Sequence, residues 1–226
     1  VKKVAVITDF DGTVSRRDVG HHFFEAHVPD RARRERLLEH WRLGLISSRE
    51  CLEAELSLVE AGREELDRFI AGEGLDPYFK DFVDFCDRHR YEILITSDGL
   101  DYYIDRLLID GGLGYLTFNA NHLVIDRERL RAVEFPYYNT MDCTRCGNCK
   151  RGHVERLKAG GYYAVYVGNG YSDRCPASYA DLVLAKGELL EHCRREKIAH
   201  VAFENFRDVE LELTSRLVLH SGNMSF

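Results

Sequence analysis

Four short runs of apolar, largely β-branched residues set the limits on what this chain can fold into: Lys3–Thr8, Tyr91–Thr96, Tyr162–Val167 and Ala180–Leu184. Each is too short for a buried helix. Each is also too continuously apolar for a strand with one wet face, so all four are expected to be strands covered on both sides. His200–Phe203 is a candidate fifth. Helical patterns fall between them, over Pro77–His89, Leu100–Ile109, Lys150–Lys158 and Gly187–Arg195. Strands alternating with helices predict βαβ units, hence an α/β fold whose parallel sheet carries helices on both faces.

The long interval between the first two runs has another texture. Residues 17–75 read as helices only: Asp18–His27, Asp30–Trp41, Ser47–Glu60 and Arg63–Ile70. Asp30 and Ser47 or Ser48 are plausible N-caps, and Gly44, Gly62 and Gly72 plausible stops. The expected organisation is therefore a core built from residues 1–16 and 76–226, with an all-helical insertion over 17–75. A second irregular stretch holds Tyr115–Asn119 and His122–Ile125, expected as a hairpin turning at Ala120-Asn121.

In an open parallel sheet, ligands bind at the carboxyl ends of the strands. Asp9-Phe10-Asp11-Gly12-Thr13 follows the first run, Ser97-Asp98-Gly99 the second and Gly168-Asn169-Gly170-Tyr171-Ser172-Asp173 the third, while Lys150 opens the helix before that third strand. Alone, each segment reads as a turn, a helix cap or a solvated charge. Together, in this order and each at a strand end or helix start, they assemble the parts needed for phosphoryl transfer. One carboxylate attacks phosphorus and a neighbouring carboxyl protonates the leaving oxygen. Mg²⁺ takes a hard oxygen shell, while a hydroxyl, backbone amides and an ammonium hold the equatorial oxygens.

Asp9-Phe10-Asp11-Gly12-Thr13-Val14, Ser97, Lys150 and Gly168-Asn169-Gly170-x-x-Asp173 resemble the four motifs of the haloacid dehalogenase superfamily. The helical insertion after the first motif resembles that superfamily's C1-type cap, and the resemblance runs along essentially the whole chain. It points to the phosphoserine-phosphatase-like branch. Ser97-x-Gly99-x-Asp101-Tyr102-Tyr103, Cys146-Gly147-Asn148-Cys149-Lys150 and Leu189-Leu190-x-x-Cys193 are similar to that branch's methionine-salvage members.

The resemblance implies a Rossmann-like core and a phosphatase acting on a small phosphorylated metabolite. Its substrate would be the enediol phosphate of methionine salvage, with phosphoserine phosphatase or a phosphotransferase as the alternative. A metal-binding regulatory protein on the same scaffold is the non-enzyme alternative. By resemblance, Asp9 is the nucleophile, Asp11 the acid/base and Lys150 the charge-neutralising group. Ser97, Thr13 and the backbone amide of Asp98 or Gly99 serve the phosphate. Mg²⁺ falls to Asp9, the Asp11 carbonyl and Asn169, with Asp173 in or behind the shell. Arg17 and Asp18 enter the cap where they can face substrate. The sequence departs from the family pattern at Asn169, an uncharged amide in a position usually held by a carboxylate. A second departure is Asp98, expected to turn its charge away from the phosphate, towards a backbone donor.

Seven cysteines without an evident secretion signal read as reduced thiols in a cytoplasmic protein. Three of them stand together: Cys143, Cys146 and Cys149, followed by His153, have Cys₃His spacing compatible with Zn²⁺. Cys175 or Asp142 is an alternative fourth ligand, and plain thiols in a glycine-containing loop are the other reading. A net charge of −7 excludes a nucleic-acid backbone as main partner. The absence of a long apolar run excludes a transmembrane helix. A monomer or homodimer is expected. The charged run Arg31–Glu39 reads as a solvated helix face.

Overall fold

The computed structural model describes residues 3–139, 141 and 143–218. Seven strands form one sheet, in the order β4-β3-β2-β1-β5-β6-β7. The strands are β1 (Lys3–Thr8), β2 (Glu92–Leu100), β3 (Phe118–Asp126), β4 (Arg129–Glu134), β5 (Tyr162–Gly168), β6 (Leu182–Ala185) and β7 (Val201–Ala202). All neighbours are parallel except the edge pair β3–β4. Strand alternation sorts the core into two layers. Val4, Val6, Val165, Val167, Leu182 and Leu184 pack on one face. Ile7, Ala164, Tyr166, Val183 and Ala185 pack on the other. The expected α/β fold, a Rossmann-like parallel sheet with helices on both faces, is thus present.

Helices α1 (Val19–His27), α2 (Arg31–Arg42), α3 (Ser48–Ser57) and α4 (Arg63–Ile70) fill the interval between β1 and β2. Asp18, Asp30 and Ser47 accept hydrogen bonds from first-turn amides as N-caps, and Glu50 returns the bond to the Ser47 amide. The chain leaves and re-enters the core along two adjacent crossings: Ser15 bridges Leu75 antiparallel. Arg16 N–H donates to Gly74 at 2.9 Å and Asp76 N–H to Val14 at 2.8 Å.

The remaining helices are α5 (Phe79–His89), α6 (Asp101–Asp110), α7 (Lys150–Ala159), α8 (Arg174–Ala177), α9 (Gly187–Glu196) and α10 (Phe206–Leu213). The sequence patterns had not indicated α10. Its Phe206 is fully buried against Phe79 and Phe82, with ring centroids 4.7 and 5.0 Å away.

The hairpin falls elsewhere than the sequence suggested. β3 runs straight through Ala120-Asn121, and the chain turns at Arg127-Glu128, both with positive φ, into β4. The polar Asn121 that resembled a turn residue is instead buried, its side-chain amide donating to the Asp98 carbonyl at 2.7 Å.

Replacing Phe206 with Ala removes one side of that aromatic contact and leaves a cavity between α5 and α10. A loss of about 3–5 kcal/mol in unfolding free energy is expected in urea titration.

Candidate active site

β1 ends at Thr8, and Asp9 follows at the carboxyl edge of the sheet. The turn over Phe10–Val14 works because Gly12 takes φ +69°. A Cβ at Gly12 would come within 2.5 Å of the Asn169 amide, so the turn is pressed directly against that side chain. β2 is irregular at the same edge. Thr96 and Leu100 pair with Asn119 and Asn121, so two extra residues bulge within Ser97–Gly99. Such a bulge re-aims the side chains next to it. Gly99 has no alternative here: a Cβ would lie 1.8 Å from the Tyr103 hydroxyl and 2.5 Å from Asp11.

These turns gather a buried charge cluster. The Lys150 ammonium donates to Asp9 Oδ1 at 2.6 Å, Asp173 Oδ1 at 2.7 Å and Ser172 Oγ at 3.0 Å. Burial disfavours its charge, yet Asp173 and Asp9 outweigh burial and raise its pKa. Asp173 is saturated: Oδ1 also accepts from the Tyr166 hydroxyl, and Oδ2 accepts from the amides of Asn169 and Gly170. Burial opposes its ionisation, but Lys150 and these donors hold its pKa below the usual value. Burial, reinforced by the Asp173 charge, pushes Asp9 upward against the pull of Lys150.

Asp11 is held by four donors. Oδ1 accepts from the amides of Val19 and Gly20, and Oδ2 from Ser97 Oγ at 3.1 Å and Tyr103 Oη at 2.7 Å. Burial, then the Asp18 charge, push its pKa up to about 7 against those bonds. A carboxyl poised there can give and take a proton at neutral pH. Thr13 donates to Asn169 Oδ1 at 2.9 Å, and Gly99 N–H to Ser97 Oγ at 2.9 Å.

Asp9, Asp11, Asp18, Ser97, Asp98, Gly99 and Asn169 border a cavity of about 170 Å³ roofed by α1–α3. Arg17 does not join them; it pairs with Glu73, its side chain 53% exposed. Asp98 Oδ1 accepts from the Asn148 amide at 2.9 Å, a backbone donor. Two buried aspartates, Asp9 and Asp173, share one lysine, and Asp11 adds a third carboxyl nearby. With the Asp9 carboxylate, the Asp11 main chain and the Asn169 amide oxygen beside the cavity, the donors fit a hard divalent cation, with Asp173 behind them.

The zinc expectation is corrected. His153 is turned away from the cysteines: Nε2 lies 2.9 Å from Asn148 Oδ1, and Nδ1 lies 3.2 Å from Asn119 Nδ2. Asn148 Nδ2 donates to the carbonyls of Ser97 and Asn119. Asn148 Oδ1 is therefore the acceptor, Nε2 carries the imidazole proton and both ring nitrogens are occupied. Among the described residues no group of three or more His, Cys, Asp or Glu side chains is arranged to hold a metal ion. Asp142 lies outside the described residues. Burial, then Asp98 and the neighbouring thiols of Cys143, Cys175 and Cys149, push the Cys146 thiol up.

The cysteine loop has a different task. Ser48 N–H donates to the Arg145 carbonyl at 3.0 Å, and Gly147 N–H donates to Ser48 Oγ at 2.8 Å. The loop thereby joins the start of α3 to the catalytic edge.

Sequence reasoning missed Tyr103, Tyr166 and Asn148. Tyrosines in an apolar strand or helix read as core, and only their hydroxyl partners reveal more. It also misread Arg34, which is buried rather than on a solvated face.

Residues 6–178 match the haloacid dehalogenase-like hydrolase family, and the chain belongs to it. It is similar to a Brevibacillus brevis protein named 2-hydroxy-3-keto-5-methylthiopentenyl-1-phosphate phosphatase, 28% identical over 211 residues, covering 92% of this chain and 94% of the relative. Pdp3-interacting factor 1 of Schizosaccharomyces pombe is 27% identical over 221 residues, covering 94% and 95%. The fold is that of a phosphoserine phosphatase solved as a phospho-aspartyl intermediate analogue, with a TM-score of 0.72 at 19% identity, covering 92% of this chain and 98% of that one. No helix among the described residues is long and apolar enough to cross a membrane.

His153 is 2% exposed, and burial, then the charges of Arg156 and Lys150, push its pKa down to about 4. The unfolded chain, with an ordinary value near ~6.5, binds the proton first. The resulting stability is present above pH ~6.5 and is lost as pH falls towards ~4, by up to about 3 kcal/mol. Urea titrations at several pH values should show a shallower acid loss for His153→Gln than for wild type. Parallel profiles would contradict the buried neutral imidazole.

Proposed function

We propose that this chain, a phosphatase of the haloacid dehalogenase-like family, hydrolyses a small phosphate monoester through an aspartyl-phosphate on Asp9. Residues 17–75 serve as the cap over a core of 1–16 and 76–226. The observation that carries the reading is the pairing of two aspartates with opposite fittings at one cavity. Asp9 is gripped by Lys150 at 2.6 Å, and Asp11 is poised near neutrality by desolvation and the Asp18 charge, against its four donors.

In the first step the Asp9 oxygen not held by Lys150 attacks phosphorus. The P–O bond to the alcohol breaks, and the alcohol oxygen takes the proton from Asp11. In the second step Asp11, now a carboxylate, removes a proton from water as the water oxygen attacks the phosphoryl group and frees Asp9. Ser97 Oγ and the Gly99 amide provide donors for the phosphoryl oxygens, and Thr13 fixes Asn169. Lys150 stays protonated throughout and offsets the negative charge of the bound group. Asp9, the Asp11 carbonyl and Asn169 would hold Mg²⁺, which would supply the further positive charge that three clustered aspartates and a phosphate demand.

The relatives' names support the enediol phosphate of methionine salvage as the substrate. Phosphoserine has only the likeness of fold behind it.

Asp9→Asn should abolish hydrolysis of p-nitrophenyl phosphate in the presence of Mg²⁺ in a variant whose circular dichroism shows it folded. Activity retained by that variant would rule out Asp9 as nucleophile. Asn169→Asp adds a charged ligand, and Mg²⁺ should bind on the order of tenfold more tightly by titration calorimetry. Equal affinities would place the cation away from residue 169.

A further inference from the structure

The roof of the catalytic cavity contains a second buried ion pair. Arg34 on α2 and Glu55 on α3 are each 6% exposed, and Arg34 Nε donates to Glu55 Oε1 at 2.7 Å. The other arm of the guanidinium is also committed. Its Nη2 donates to the His21 carbonyl at 3.0 Å and lies 3.1 Å from His21 Nδ1. Both members of the pair border the cavity, and the wall around them is apolar, made by Phe24, Leu38, Trp41 and Leu52.

The charge balance of this cavity follows directly. Its arginine is cancelled by Glu55. Lys150, behind Asp9 and Ser172 of the lining, is cancelled by Asp9 and Asp173. A carboxylate on the leaving alcohol would lose its water and meet no uncommitted cation, with Asp18 and Glu55 nearby to repel it. An ammonium meets the opposite situation, with Asp18, Asp98 and Glu55 all bordering the cavity. An uncharged alcohol with an apolar end meets a matching wall and disturbs neither pair.

We propose that the closed Arg34–Glu55 pair is the specificity-determining element of this cavity: with its arginine cancelled, the cavity admits phosphate esters of alcohols that bear no carboxylate and refuses those that carry one. The inference rests on the phosphatase reading for what binds at the floor, but not for what lines the roof. It separates the two substrate readings, because phosphoserine carries a carboxylate.

The test is titration calorimetry with two phosphonates, which bind without being hydrolysed: butylphosphonate and 3-phosphonopropionate, with Mg²⁺ present. Wild type should bind butylphosphonate at least about tenfold more tightly. Glu55→Gln leaves the Arg34 charge uncompensated, and the gap to 3-phosphonopropionate should narrow by about tenfold. The double variant Arg34→Met/Glu55→Leu replaces the pair with apolar groups and should keep the wild-type order. It also provides the reading should Glu55→Gln fail to fold.

3-Phosphonopropionate binding wild type as tightly as butylphosphonate would overturn the proposal. So would an unchanged order in folded Glu55→Gln, or loss of the order in the double variant. Hydrolysis of p-nitrophenyl phosphate by wild type is measured alongside. Discrimination without hydrolysis sinks the phosphatase reading and leaves the filter standing. Hydrolysis without discrimination, or without binding of any phosphonate, sinks the filter alone.

Discussion

One ammonium group, buried between two carboxylates, holds the carboxyl edge of the sheet together. Lys150 starts α7, Asp9 ends β1 and Asp173 lies beyond β5, so its two short contacts tie three separate segments at one point. A buried charge stripped of one partner costs about 3–5 kcal/mol. The placement of Asp9 is therefore maintained by an interaction on which the stability of that edge also depends. Asp173 extends the arrangement inward, since its four donors come from Lys150, Tyr166 and the Asn169-Gly170 turn.

A second, uncharged network supports the other side of the site. Asn148 joins the bulged end of β2 to β3 through the carbonyls of Ser97 and Asn119, and His153 fixes the orientation of its amide. The segment that reads as a metal-binding loop is thus organised by amides and one neutral imidazole. The thiols take little part. Cys149 is buried, and Cys146 is held in its protonated form by its surroundings. Low thiolate content makes such sulfurs slow to react.

Much of this was legible in the sequence because two periodicities and a few strand-end residues carry it. The four short apolar runs located β1, β2, β5 and β6. Caps at Asp30 and Ser47 marked the starts of α2 and α3 to within a residue. The aspartates after β1, Ser97, Lys150 and the glycine-flanked Asn169 were visible because chemistry concentrates where strands end. What was not legible depends on contacts between distant residues. Nothing local distinguishes Arg34 from the other arginines of α2, and only Glu55, on the next helix, makes its burial tolerable. Cys₃His spacing was correct as arithmetic, but the imidazole was claimed by two asparagines far apart in the chain. Asn121 has turn chemistry and yet sits inside a strand, because the Asp98 carbonyl gives its amide a partner there.

The antiparallel bridge between Ser15 and Leu75 bears on how the roof can move. Two independent tethers would let the four inserted helices tilt and swivel in any direction. Two crossings hydrogen-bonded side by side behave as one stiff leaf with a single bending axis, like a door on one edge. On the far side, Ser48 latches to the Arg145 carbonyl and the Gly147 amide. Opening the cavity to admit substrate then means releasing a small, exchangeable set of polar contacts at one margin while the opposite margin stays paired, so the helices return to the same register each time they close.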